Sequence, residues 1–413
     1  MALSRPAAAR MRWLTNLRLA GLERGSDDDR VRWRIGVDRE GLIARVRETP
    51  AGSRAAGEDW GGDWLSLGGV DLQINGGLGL AFPELTPSDL PRLEGLLELL
   101  WQDGVDAICP TLVTCASGAL RQSLEVLAQA RRRHRPGRCR LLGAHLEGPF
   151  LAPERRGAHP AQHLRPPSPE TLDALIAGFS GGPEADIALV TLAPELDGAA
   201  EVIASLRDAG VVVSLGHSSA DEAQAREAFA RGVGMLTHSF NAMAGLHHRA
   251  PGPVGAAVLA GSVALGLIAD GVHVAPTMAV LLQRLAGRQL VIVSDALAPY
   301  GLAEGAHRWD ERLLVVKDGS CRLEDGTLAG VTLPLLEGVR RLAGWSGLAG
   351  TSIAAATLAP RRVLGERKTL EQLLLGRPLA DTLRWSAGDG GLRWRRTEAE
   401  GAPSQETPQL SGP

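Results

Sequence analysis

Four residues stand out because each directly follows a short apolar run: Glu147 in HLEGPF, His217 in SLGHS, His238 in THSFN and Asp295 in VSDA. A carboxylate and two imidazoles are the donor types that zinc-like metals take, and three protein ligands leave a position open for water. A metal held in this way lowers the pKa of water from about 15.7 towards about 7 and polarises a carbonyl. Asp295 is then the natural general base, taking a proton from that water and later passing it to a departing amine. The chemistry suits an amide, whose nitrogen leaves poorly unless it is protonated. Taken singly, each residue also has a plainer role. Glu147 and Asp295 could cap helices, and either histidine could satisfy a loop carbonyl. Core packing explains the four together poorly, because each would need its own buried partner.

Further polar residues extend the set. His159, in RRGAH, is a candidate to hydrogen-bond the developing oxyanion. In FNAMAGLHHRAPGPVGA, Asn241, the Ala242 backbone N–H and Arg249 could hold a phosphate, with His273 of ADGVHV adding a contact. A solvated loop with one incidental arginine is the competing reading of that segment. His247 and His248 are adjacent, would not face one ligand on regular structure, and receive no role. Gln73 and Asn75 follow the first apolar run and point towards the same place as the four residues above.

These residues need elements to hold them. The runs GGVDLQI, AICPTLV, LLGAHL, IALVTL, VVVSLG, MLTHSF, VALGLIA and LVIVSD are short and rich in aliphatic residues. Helix-like segments such as PRLEGLLELLWQDG and ALRQSLEVLAQARRRH lie between most of them, with apolar residues at i, i+3 and i+4. Eight near-continuous apolar strands joined by helices predict an α/β fold, a (β/α)₈ TIM-type barrel. In such a barrel the residues at the C-terminal strand ends share one bowl. An open doubly wound sheet competes, but no GxGxxG follows the first strand. The link 241–262, rich in Gly, Pro and His, is expected to be a long loop rather than a plain helix. Residues 1–66 alternate in LTNLRLAGL, VRWRIGVD and GLIARVRE and predict part of a small β-sandwich. The barrel is assigned to 67–360. Residues 361–398, with TLRWSAGDGGLRWRR, are expected to return strands to the sandwich, and the polar, Pro-rich 399–413 to be a disordered tail.

Composition excludes several classes. The 413 residues carry 44 Lys+Arg against 47 Asp+Glu, a net charge of −3, which gives no global attraction to nucleic acid or anionic membrane. An anionic substrate must therefore be held by local groups. Four cysteines without a CxxC pair do not make a disulfide framework and suit a reducing cytosol. No run approaches the roughly 20 apolar residues of a membrane helix. The opening MALSRPAAARMRW lacks the apolar core of a secretory signal, so the expected compartment is the cytoplasm.

The motifs GGVDLQINGGLG (68–79), GAHLEGPF (143–150), RRGAHP (155–160), SLGHSSA (214–220), THSFNAM (237–243), RAPGPVGA (249–256), LIADGVHV (267–274), VSDALAP (293–299) and DGTLAGVTLPLLEGVR (325–340) are similar, in order and spacing, to those of N-acetylglucosamine-6-phosphate deacetylases of the amidohydrolase superfamily. The resemblance implies hydrolysis of the N-acetyl group of an amino-sugar phosphate. A related amidohydrolase acting on another N-acyl or cyclic amide, or a non-catalytic barrel, are the alternatives. The resemblance further implies one divalent metal on Glu147, His217 and His238, with Gln73 and Asn75 replacing a second site. Zinc is expected, and iron, cobalt or manganese are alternatives. Asp295 resembles the acid/base and His159 the carbonyl-polarising group. Asn241, Ala242, Arg249 and His273 match sugar-phosphate contacts, and Ala158, Leu328, Ala329 and Gly330 match substrate-lining positions. A homodimer is implied, since family members can take Arg or His contacts from a partner subunit. Three stretches depart from the family pattern: Gly76-Gly77-Leu78-Gly79 after the first strand, Ala250 in RAPG, and VTLPLL after GTLAG.

Overall fold

The aliphatic runs become eight parallel strands: β1 (Gly69–Ile74), β2 (Val105–Val113), β3 (Ala144–Glu147), β4 (Ile187–Leu192), β5 (Val212–Leu215), β6 (Val233–Leu236), β7 (Ala264–Ile268) and β8 (Leu290–Val293). The structure, a computed structural model, describes residues 11–21, 27–28, 30–53, 55–309 and 312–397. The tail 399–413 lies outside the described residues. Each strand pairs in parallel with the next in chain order. The ring closes just past the strand ends. There the Asp295 N–H donates to the Gln73 carbonyl at 2.9 Å, and the Asn75 N–H to that of Ala296 at 2.7 Å. Burial on both faces explains the unbroken apolar runs: all six residues of β4 are buried.

Eight helices follow the strands: α1 (Leu90–Gln102), α2 (Ser117–Arg132), α3 (Pro169–Ile176), α4 (Ala199–Asp208), α5 (Glu222–Ala230), α6 (Gly252–Ala260), α7 (Pro276–Ala286) and α8 (Leu335–Ser346). They bury one stripe, as the sequence period requires. Helix α1 buries Leu90, Leu93, Leu97 and Leu100, each contributing about 1.5–3 kcal/mol if fully withdrawn from water. Ser168 caps α3, and Asp221 with Gln224 forms a capping box on α5. Helix α6 corrects the expectation of a long loop over 241–262. Its stretch GPVGAAVLA has no polar face, and Gly and Pro hid it. Yet Pro253 suits a first helical turn, and the lack of a side chain on Gly255 lets that turn pack tightly: an added Cβ would lie 2.5 Å from Pro251 Cβ.

Both chain ends build the small β domain. Strands Arg12–Leu19, Val31–Val37, Ile43–Pro50, Glu58–Asp59 and Trp64–Leu67 join Thr382–Gly388 and Gly391–Arg396 in a seven-stranded sheet. Trp385 stands opposite Trp64 in the antiparallel pair that ties the two ends together. The sheet buries Leu14, Leu17, Ile35 and Ile43 against Leu370 and Leu374 of helix Leu370–Leu374. Asp106, near the start of β2, docks this domain on the barrel floor. Its carboxylate accepts from Arg361 at 2.9 Å and lies 3.4 Å from Arg396 and 3.6 Å from Arg377.

One unit was not foreseen from the sequence. Between β8 and α8 the chain forms a four-stranded antiparallel meander of Gly305–Trp309, Arg312–Lys317, Ser320–Leu323 and Leu328–Val331. It has its own small core of Trp309, Leu314, Val316 and Cys321 with Leu297. Its last strand is bonded to the barrel mouth, with the Val331 N–H donating to the Asp295 carbonyl at 3.2 Å. Among the described residues no helix is long and apolar enough to cross a membrane.

Candidate active site

Glu147 is the last residue of β3, and His217, His238 and Asp295 each stand two residues past the end of β5, β6 and β8. The three latter have left-handed backbones, with φ of 49°, 31° and 51°. Such angles cost non-glycine residues about 1–3 kcal/mol each and persist where the surroundings impose them. The strain turns these side chains into the barrel mouth, where all four are buried.

Three donor atoms meet there. Glu147 Oε1 lies 3.2 Å from both His217 Nε2 and His238 Nε2, which are 3.1 Å apart. These separations approach the roughly 3.3 Å edge of a tetrahedron drawn around an ion with bonds of about 2.0–2.1 Å. Protonation supports the fit. His217 Nδ1 lies 2.9 Å from the Arg155 carbonyl and must carry a proton to bond it, which leaves a lone pair on Nε2. The donors therefore suit a divalent cation. Burial opposes ionisation of Glu147, but the adjacent His217 and His238 imidazoles outweigh it and hold its pKa well below the usual carboxylate range.

Glu147, His159 and His217 also bring ligand atoms within 4.8 Å of one another, which offers a second possible ligand set. The tautomer of His159 argues against it. The Thr114 backbone N–H donates to His159 Nδ1 at 3.3 Å. The ring proton is thus on Nε2, which faces Glu147 Oε2 at 3.9 Å as a donor, not a ligand. Burial, reinforced by the neighbouring His217, pushes the His159 pKa down to about 3, so the ring is a neutral donor.

Asp295 is held from the strand-one side. Asn75 Nδ2 donates to its Oδ1 at 2.7 Å and Gln73 Nε2 at 3.3 Å, and Gln73 Nε2 also reaches Glu147 Oε1 at 3.1 Å. Burial and then the Glu147 charge push the Asp295 pKa up. Asn75, Glu147, His159, His217, His238 and Asp295 line a cavity of about 310 Å³.

Comparison with known proteins places this arrangement. The chain is 36% identical over 380 residues to human N-acetylglucosamine-6-phosphate deacetylase, covering 90% of each chain. It is 37% identical over 357 residues to the mouse enzyme, covering 83% of this chain and 86% of that one. The chain belongs to the N-acetylglucosamine-6-phosphate deacetylase family. No protein-family model matches it. An Escherichia coli O157:H7 relative named N-acetylgalactosamine-6-phosphate deacetylase is 35% identical over 309 residues, covering 75% of this chain and 80% of that one. Among solved structures, a mutant of the Mycobacterium smegmatis deacetylase in complex with N-acetyl-D-glucosamine 6-phosphate superposes with a TM-score of 0.72 at 29% identity. The match covers 88% of this chain and 92% of that one. The Thermotoga maritima deacetylase gives 0.73 at 28%, covering 90% and 94%.

In this deacetylase-family chain the remaining candidates divide. Asn241, Ala242, His273, Ala158, Leu328 and Ala329 line the cavity. Ala242 has a φ of 51°, and Asp270 holds His273 Nδ1 at 2.7 Å. Gly330 lies beneath the lining, where an added Cβ would come within 2.7 Å of the Asp295 carbonyl oxygen. Arg249 is exposed and is not among the lining residues, so one chain does not bring it to the site. Two features escaped the sequence reading. Trp309 of the meander lines the cavity. A buried chain of side chains also runs under the deacetylase site. It links Thr111 to His145 at 3.2 Å, His145 to Thr191 at 2.7 Å, Thr191 to Thr237 at 2.7 Å and Thr237 to Ser214 at 2.6 Å. Burial pushes the His145 pKa down to about 4, so it serves as a neutral bridge between strands. The signal for this network was the hydroxyl or imidazole at one interior position of successive strands, which looks like ordinary polar content until the strands close.

Proposed function

We propose that this chain hydrolyses the N-acetyl group of N-acetylglucosamine 6-phosphate, giving glucosamine 6-phosphate and acetate. The observation that carries the reading is the 3.1–3.2 Å convergence of Glu147, His217 and His238 beside Asp295. Two histidines and a glutamate with an open position fit one zinc ion per subunit, which when bound acidifies water and polarises the acyl carbonyl. The bonds from Asn75 and Gln73 fall on Asp295 Oδ1. Oδ2 then takes the proton of the attacking water and delivers it to the amine nitrogen as the C–N bond breaks. The His159 Nε2–H donates to the carbonyl oxygen as charge develops there.

The sugar phosphate fits the opposite end of the cavity, against Asn241, the Ala242 N–H and His273. Arg249 is assigned to the phosphate of a partner subunit in a homodimer. Leu259, Leu281 and Leu285, exposed by 73%, 46% and 51% on α6 and α7, support such an interface. Four free thiols fit a cytoplasmic setting. On this reading residues 67–360 carry the catalytic barrel, and 1–66 and 361–398 the small β domain. The relative named for N-acetylgalactosamine 6-phosphate makes that epimer the second substrate to try.

The test is an acetate-release assay on phosphorylated and free N-acetyl hexosamines, with and without chelator. Chelator-sensitive cleavage that favours the 6-phosphates is expected. Equal kcat/KM for free and phosphorylated sugars would remove the phosphate site, and activity indifferent to chelator would remove the metal.

A further inference from the structure

Resting on the deacetylase reading, we propose that Trp309 is the residue that restricts this site to acetyl, by walling off a second chamber into which a longer N-acyl chain would extend. The chamber measures about 520 Å³, against about 310 Å³ for the catalytic cavity. It lies between the loop after β2, with Cys115, Ala116 and Ala119, and the segment that carries Pro160 and Ala161, with Glu84, Arg156 and His163 on its polar side. Val113 and Trp309 line both cavities, so these two side chains are the partition.

The orientation of the substrate follows from chemistry already placed. The acyl carbon must stand between Asp295, which handles the proton, and His159, which faces the carbonyl oxygen. The phosphate occupies the far end, at Asn241, Ala242 and His273. The carbonyl oxygen meets His159, so the substituent on the same acyl carbon lies at the His159 end of the cavity. His159 is anchored to Thr114, the neighbour of Val113, and Thr114 itself faces the second chamber. That end of the catalytic cavity is apolar: Val113, Ala158, Leu297 and Ala329 all pack in the Trp309 cluster. A methyl group suits such a wall, and about 310 Å³ is at the lower limit of ligand sites.

The wall is fixed in place. Trp309 is 6% exposed. The Arg312 guanidinium stacks over its ring at 4.6 Å from the centroid and donates to the Ala158 carbonyl at 2.7 Å. Removing the indole joins the two spaces along the line of the acyl chain. The reaction is unchanged. Water oxygen goes to the acyl carbon, the C–N bond breaks, and the amine takes the proton, so the product is the longer carboxylic acid.

The experiment measures kcat/KM for glucosamine 6-phosphate bearing N-acetyl, N-butyryl or N-hexanoyl groups, on wild type and Trp309→Ala. Wild type is expected to lose roughly tenfold or more per added pair of methylenes, and Trp309→Ala to raise the butyryl-to-acetyl ratio by roughly tenfold or more. A folded Trp309→Ala with wild-type chain-length preference would overturn the proposal, as would wild type that cleaves all three equally. Trp309→Leu gives the same readout with a smaller packing change, and an unchanged ratio there also counts against the wall. Wild type that cleaves none of the three instead sinks the deacetylase reading itself.

Discussion

Asn75 Nδ2 donates to Asp295 Oδ1 at 2.7 Å, so a strand-one amide steers the carboxylate that is to act as base. This is a charge-assisted bond to a buried group, about 1.5–3 kcal/mol. Asn75→Ala should lower kcat about ten- to hundredfold while metal content stays at the wild-type level. Metal loss alongside activity would show instead that Asn75 belongs to the metal site.

Asp295→Asn keeps the shape of the site and removes the base. Turnover should fall about 10²–10⁴-fold with metal retained, measured by elemental analysis beside the acetate assay. Substantial residual activity would rule out the role given to Asp295.

The two overlapping ligand sets can be told apart. His217→Ala and His238→Ala should lose metal and activity together. His159→Ala should retain metal and lose about 10²–10³ in kcat, because its Nε2–H is a donor. A metal-free His159→Ala would transfer it to the ligand set.

Asp71, buried beneath β8, has its pKa pushed up to about 7, chiefly by burial and further by the Asp295 charge, against hydrogen bonds from Ser294 and Gln73. The folded state therefore holds a proton that the unfolded chain has released, and stability falls as pH rises from about 4 through about 7. Asp71→Asn should raise the thermal midpoint at pH 8, and the gain should vanish near pH 4. A gain that does not vary with pH would mean that Asp71 is not the titrating group.

On the barrel floor, Asp106→Ala would strand Arg361, Arg377 and Arg396 near one another. A loss of about 3–5 kcal/mol is expected in urea unfolding, since a buried pair loses one partner. An unchanged midpoint would show that the arginines reach other acceptors or water.

The convergence of Glu147, His217, His238 and Asp295 was legible because a parallel barrel gathers strand ends, so the four could be grouped without coordinates. Hydrophobic period gave the strands and most helices. It failed at α6, which has no polar face to set a period, and at the meander, whose half-exposed strands are not buried on both faces as the barrel strands are. Arg249 matched a motif that sequence cannot assign to one subunit or the other. The Thr111–His145–Thr191–Thr237–Ser214 chain depends on which residues become neighbours after closure, so no local pattern announces it.

The backbone bond between Asp295 and Gln73 joins segments 222 positions apart in the chain, and it holds the aspartate proposed as the base. A chain whose first and last barrel strands have not met has no aligned proton acceptor, however well its middle is formed. Recovery of turnover during refolding should therefore trail the return of helical signal and coincide with the final cooperative step. The enzyme's own product becomes a marker for the last event in its assembly.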